Sequence, residues 1–269
     1  MPKLSLSKAW EETVRVLSRD GRLFLAVALA LVVLPQTVVG LIAPMSGSEP
    51  SALSYILLAV LLVLGVIAQL ALIRLAIGPS TTVGSAIGRA ILRTPVWIGA
   101  AALFVACLFI ILIPLVLVLS ALGVTVASGP AHEASASVVA LILLVAILSY
   151  GVFQLAAPVA VAEEGGSIHL ITRSWHLSRG AYWRLLAFVL LVFLGLILVA
   201  LAGQFGLGSL IQMAFGPPDA LSLSALVISL IVSIVQAVFT VIFAVMLARI
   251  YVQIAASGEG QASVPKSGT

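Results

Sequence analysis

The chain has 269 residues, of which 62% are hydrophobic and only 8% charged. Soluble domains carry about a quarter charged residues, so a water-soluble single domain is excluded. Its 13 Lys and Arg against 9 Asp and Glu give a net charge of +4, a balance that suits either nucleic acid or a membrane surface.

Residues 1–22 precede the first apolar run. Among them Leu6, Trp10, Thr13, Val14 and Leu17 share one helical face, and Lys8, Glu11, Glu12, Arg15 and Arg19 share the other. Lys8 with Glu12 and Glu11 with Arg15 stand four apart and can pair. A first membrane span is predicted over Leu23–Ala43. A mixed-charge segment precedes it and no small-x-small cleavage signal follows, so it reads as retained. The second span is predicted over Tyr55–Ile77. In residues 80–94, Val83, Ile87, Ala90 and Ile91 oppose Ser85, Arg89 and Arg93, and Thr94-Pro95 marks a break before the third span, Val96–Val126. The fourth covers Val138–Ala162. In residues 163–184, Glu163 and Glu164 precede a Gly165-Gly166 turn, and Ser167 caps a helix in which Ile168, Ile171 and Trp175 oppose His169, Arg173 and His176. Spans five and six are predicted over Leu185–Phe205 and Leu223–Val252. Each run meets the length of about 20 apolar residues that a bilayer core requires, with all backbone bonds made inside the segment. The small, polar, Gly/Ser-rich tail, residues 257–269, is expected to be disordered.

Charge placement decides the orientation. All 13 basic residues fall on one side of this threading, whereas the three opposite loops carry only Glu49, Glu133 and Asp219. By the positive-inside rule both termini are cytoplasmic, in the inner (plasma) membrane, and no nucleic-acid partner is expected. Trp10, Trp97, Trp175 and Trp183, with Tyr182 and Tyr251, form an aromatic belt on the same side. The expected fold is all-α: residues 1–256 make a polytopic domain of six transmembrane helices as three hairpins, each preceded by a cytoplasmic amphipathic helix. The unit recurs at roughly 80-residue spacing, an internal repeat, although antiparallel pairing forced by short loops is the plainer account.

Chemistry is sparsely written. No Asp, Glu, Lys or His falls at mid-membrane, which argues against a proton relay. Arg74 and Arg249, near the basic ends of their spans, are expected to snorkel into the headgroups. Gln69, Gln154 and Gln236 form a candidate intramembrane polar core, either as hydrogen bonds between helices or as the lining of a cavity. Pro35, Pro114 and Pro158 are expected to kink or end their helices. Cys107 lies in an apolar run and can supply neither an intrachain disulfide nor a cysteine metal site. His132, His169 and His176 show no metal-ligand spacing, and no Gly-x-Ser-x-Gly pentad occurs. No catalytic residue, metal or cofactor is expected. The candidate lipid or partner contacts are Trp10, Arg89, Arg93, Arg173, Trp175, Arg179, Trp183 and Arg184; Pro158, Glu163, Glu164 and Gly166 form a candidate structural hinge.

The stretch from Ala157 to Leu186 carries Pro158, Glu163, Glu164, Gly166, Ser174, Trp175, Leu177, Gly180, Trp183 and Arg184 in the order P, EE, G, SW-x-L, G and WR. On these residues it resembles the membrane domain of the glycerophosphoryl diester phosphodiesterase family and related bacterial multi-span proteins. The resemblance implies a bacterial membrane protein. In that family the membrane domain can be joined to a soluble catalytic barrel, for which these spans and short loops leave no residues, so phosphodiesterase activity is not expected. The leading expectation is a non-catalytic membrane module engaging lipids or a membrane or cytoplasmic protein partner at its basic face. A transporter or channel for a small or lipid-like solute is the alternative.

Overall fold

A computed structural model describes residues 5–42, 52–78, 82–121, 136–202 and 221–262, with positions 206, 211, 213 and 216; every regular element among them is helical. The elements are α1 (Leu6–Ala28), α2 (Leu34–Ile42), α3 (Ala52–Ile77), α4 (Val83–Ala121), α5 (Ala136–Phe153), α6 (Ala156–Ala162), α7 (Ser167–Ser178), α8 (Tyr182–Ala202) and α9 (Leu223–Ala262). Among the described residues six stretches are long and apolar enough to cross a bilayer: Leu6–Ile42, Ala52–Ile77, Val83–Val118, Leu141–Ala162, Tyr182–Val199 and Leu223–Ala256. They overlie the six predicted runs and mark the chain as a membrane protein. The ends of the predicted spans at Ala43, Val126 and Phe205 lie outside the described residues, as do the loop acids Glu49, Glu133 and Asp219.

Local chemistry explains the breaks. The Ser5 hydroxyl accepts the Lys8 N–H and starts α1. A π turn, Leu29–Val33, joins α1 to α2, with the Leu34 N–H reaching the Leu29 carbonyl. Pro35 has no N–H for the Leu31 carbonyl, and the wider turn just before it absorbs the lost ladder bond. Pro158 likewise cannot serve the Gln154 carbonyl, and the helix turns at Gln154–Leu155 between α5 and α6. Pro114 sits inside α4, which runs on past it.

Two expectations need correction. Thr94-Pro95 does not break the chain: α4 continues through it, and the Thr94 hydroxyl donates to the Ala90 carbonyl at 2.8 Å. Proline removes a single ladder bond, whereas leaving the helix in apolar surroundings would expose many backbone groups. The first two segments expected as separate amphipathic helices are therefore the leading turns of continuous helices. The third, α7, stands alone after Gly165-Gly166. At the other end, α9 runs on to Ala262, into the tail expected to be disordered, and residues 263–269 lie outside the described residues.

Burial concentrates at the basic ends of the helices. Phe24, Leu70, Leu72, Ile73, Leu155, Leu170, Leu185, Leu247 and Ile250 are fully buried there. Leu53, Leu58, Ile110, Leu117, Leu191 and Leu198, farther along the same spans, face outward. In lipid such outward leucines carry no penalty, because acyl chains are as apolar as they are. α3 packs on α4 and α9, and α9 also packs on α1 and α2. At the far end Gly40 of α2 lies so close to Ser229 of α9 that a Cβ at position 40 would come within 2.7 Å of the serine Cβ. Small residues let helix backbones approach in this way. α8 packs chiefly on α5. It meets α9 through side chains, with Phe188 stacked on Phe243 at 5.6 Å and Phe239 against Gly195.

Candidate functional site

Two acidic residues stand where α6 gives way to α7, and the surrounding helices converge on them. Glu163 accepts from Arg173 Nε at 3.0 Å through Oε1 and 3.1 Å through Oε2. The Tyr251 hydroxyl of α9 donates to the same Oε1 at 3.0 Å, and His169 Nε2 lies 4.0 Å from Oε2. Glu164 Oε1 is 3.6 Å from Arg89 Nη2, while Arg93 Nη1 donates to the Gly165 carbonyl at 3.3 Å. The Ser167 hydroxyl, at the start of α7, donates to the Val96 carbonyl of α4 at 2.9 Å. That approach depends on Gly99, where a Cβ would come within 2.7 Å of the Ser167 oxygen. The far side of α7 is held by Ser174 and Ser178, whose hydroxyls both donate to the Val152 carbonyl in the last turn of α5. Helix-terminal carbonyls lack an intrahelical donor, so these serines supply one. The junction is thus a cross-linked knot tying α4, α5, α7 and α9.

This knot divides the candidate contacts. Arg89, Arg93 and Arg173 turn into it, because a carboxylate or carbonyl awaits each, so Arg89 and Arg93 do not face away from the protein as the helical pattern suggests. Trp10, Trp175 and Trp183 face outward at 49%, 53% and 76% exposure. The buried side of α7 is Leu170, Ser174 and Ser178, while Ile168 and Trp175 of its apolar face are exposed. Arg249 does not snorkel: its Nη2 donates to the Ala76 carbonyl at 2.7 Å, capping the negative end of α3. Sequence reading places Tyr251 in the aromatic belt and Ser174 in the family resemblance, but neither these contacts nor Ser178 were expected. A tyrosine at the basic end of the last span reads there as belt, and its carboxylate partner is 88 residues away.

Beside the knot, between α5, α7 and α8, lies a notch of about 440 Å³. Leu148 and Val152 form its apolar floor, and Trp175, Arg179 and Tyr182 stand on its rim. The Tyr182 hydroxyl donates to the Leu148 carbonyl at 3.0 Å, which fixes its ring. Among the described residues the Arg179 guanidinium has no partner. Arg184, two residues past Tyr182 on α8, is exposed.

The three glutamines do not share a cavity. Gln154 is buried and donates to the Gly151 carbonyl of its own helix at 3.2 Å, leaving its Oε1 without a partner among the described residues. Gln69 is half-buried on α3. Gln236 lines a separate cleft of about 230 Å³ between α5, α8 and α9. No cluster of His, Cys, Asp or Glu suited to a metal occurs among the described residues.

Over residues 4–254 the chain matches the family described as a domain of unknown function, DUF7847. Neither a curated protein nor a solved structure matches it.

Proposed function

The chain belongs to the DUF7847 family, and from that premise we propose that it is a non-catalytic membrane module that engages anionic lipid at its basic end. The notch carries this reading. It combines an unpaired guanidinium, an outward tryptophan and an apolar floor at one level, the three features a lipid phosphate, interface and acyl chain call for. Arg89 and Arg173 are paired with Glu164 and Glu163 and Arg93 is held by the Gly165 carbonyl, so Arg179 is the guanidinium beside the knot left to meet a phosphate. In this reading the basic end faces the cytoplasm of a bacterial inner membrane, the three helix pairs descend from a repeated unit, and a protein partner can dock on the same face. Kinship with the membrane domain of the glycerophosphoryl diester phosphodiesterase family belongs to the proposal too: of its matched residues, Glu163, Glu164 and Ser174 make contacts of the knot.

The test uses the full-length protein in nanodiscs containing phosphatidylglycerol or phosphatidylcholine, with retained lipid counted by native mass spectrometry. Several-fold preferential retention of phosphatidylglycerol is expected, and Arg179→Gln should abolish the preference; indifference to headgroup charge would refute the reading. Transport of a small or lipid-like solute is the second reading, favoured by the Gln236 cleft. Solute flux into proteoliposomes bearing the purified chain would decide for it.

A further inference from the structure

The Gln236 cleft lies in a different part of the molecule from the notch. Its wall carries the aromatic rings of Tyr150, Phe193, Phe239 and Phe243, with Gln236 and Thr240 as polar members. Depth follows from helix rise. Phe193 stands eleven residues along α8 from Tyr182, about 16 Å, and Gln236 stands thirteen before Arg249, about 20 Å. Both distances fall near the middle of a core about 30 Å thick, below the level of headgroups and ester carbonyls.

At that depth unpaired polar groups are strongly unfavourable. Thr240 meets its need within its own helix, donating to the Gln236 carbonyl at 2.8 Å. The Tyr150 hydroxyl and the Gln236 side-chain amide have no partner among the described residues. Each can donate as well as accept, and each stands without a partner on the wall of a cleft otherwise made of flat rings and aliphatic groups. A phospholipid tail offers no acceptor, and its carbonyls and charges lie too shallow to reach Gln236. The volume limits the occupant further: an apolar cavity of about 150 Å³ takes a benzene ring, so about 230 Å³ holds one substituted ring, with any chain leaving through the open side into lipid. Tyr150 and Phe193 already stand edge to face, centroids 6.4 Å apart, the geometry in which aromatic surfaces attract.

We propose that this cleft binds the ring of a membrane-dissolved quinone, its carbonyl oxygens accepting from the Tyr150 hydroxyl and the Gln236 amide and its chain running out into the bilayer. The site is one of binding; no electron transfer is invoked.

The experiment loads full-length protein in nanodiscs with decylubiquinone and measures retention over empty discs. Dodecylbenzene, a ring and chain without carbonyls, serves as the second probe. Decylubiquinone should be retained at least tenfold more tightly than dodecylbenzene. Tyr150→Phe and Gln236→Leu, which keep the shape and remove the donor, should each weaken quinone retention about tenfold while leaving dodecylbenzene unchanged. Equal retention of the two probes would show an acyl-chain groove and overturn the proposal, as would unchanged quinone binding in both variants. A change of oligomeric state in Gln236→Leu, read by light scattering, would place a second copy in the cleft and overturn it as well. Should either variant fail to fold, the two-probe comparison on the unaltered protein decides alone.

Discussion

Replacing Glu163 by alanine tests the knot at its centre. The change removes the two contacts from Arg173, at 3.0 and 3.1 Å, and the 3.0 Å bond from Tyr251. Arg173 is 44% exposed, so water screens its pair with Glu163 and the contribution is about 0.5 kcal/mol. Tyr251 is only 7% exposed, and a hydroxyl-to-carboxylate bond in that setting contributes about 1.5–3 kcal/mol. Glu163→Ala should therefore cost about 2–3 kcal/mol. Glu163→Gln, which keeps an acceptor for Tyr251 and loses the charge, should cost about 1 kcal/mol. The assay is reversible unfolding in mixed micelles titrated with dodecyl sulfate, read as a midpoint shift at constant slope. Combined with Tyr251→Phe, the alanine variant should show a coupling of about 1 kcal/mol or more, since the two residues share one bond. A loss below about 0.5 kcal/mol, or strict additivity with Tyr251→Phe, would refute the claim that the carboxylate ties α6 to α9.

Gly40→Ala should push α2 off α9, because the new methyl would lie 2.7 Å from the Ser229 Cβ; a cost of about 1–3 kcal/mol is expected, and Ser229→Gly in the same chain should recover most of it in the same unfolding assay. Arg249→Met should cost about 1–2 kcal/mol by uncapping α3 at Ala76, and unaltered stability would show the contact to be idle. In a Cys107→Ser background, Arg179→Cys should react with an impermeant thiol reagent only from the cytoplasmic side and Leu221→Cys only from the opposite side; the reverse pattern would overturn the proposed orientation.

How far the molecule could be read in advance depended on the range of the forces involved. The turn at Gln154–Leu155 before Pro158 and the start of α7 after Gly165-Gly166 are both visible in the sequence, because a missing N–H and a flexible glycine pair act within one turn of helix. Thr94-Pro95 carries a similar local signal and misleads, because what matters there is the backbone that would be exposed if the helix ended. Arg89 and Arg93 read as an outward face of a short amphipathic helix; no periodicity reveals that Glu164 and Gly165, more than 70 residues on, draw them inward. Gln69, Gln154 and Gln236 occupy matching places in their spans, yet only one of them reaches a cleft.

Six apolar helices and the basic character of one end were determined by sequence alone, since span length and hydropathy are properties of contiguous residues in a bilayer about 30 Å thick. Which arginine pairs with a carboxylate and which is left open, that Tyr150 and Gln236 line one cleft, and that the last span leans on the first were decided only by the tertiary structure. Those outcomes rest on distances between residues far apart in the chain, set by the packing of whole helix faces.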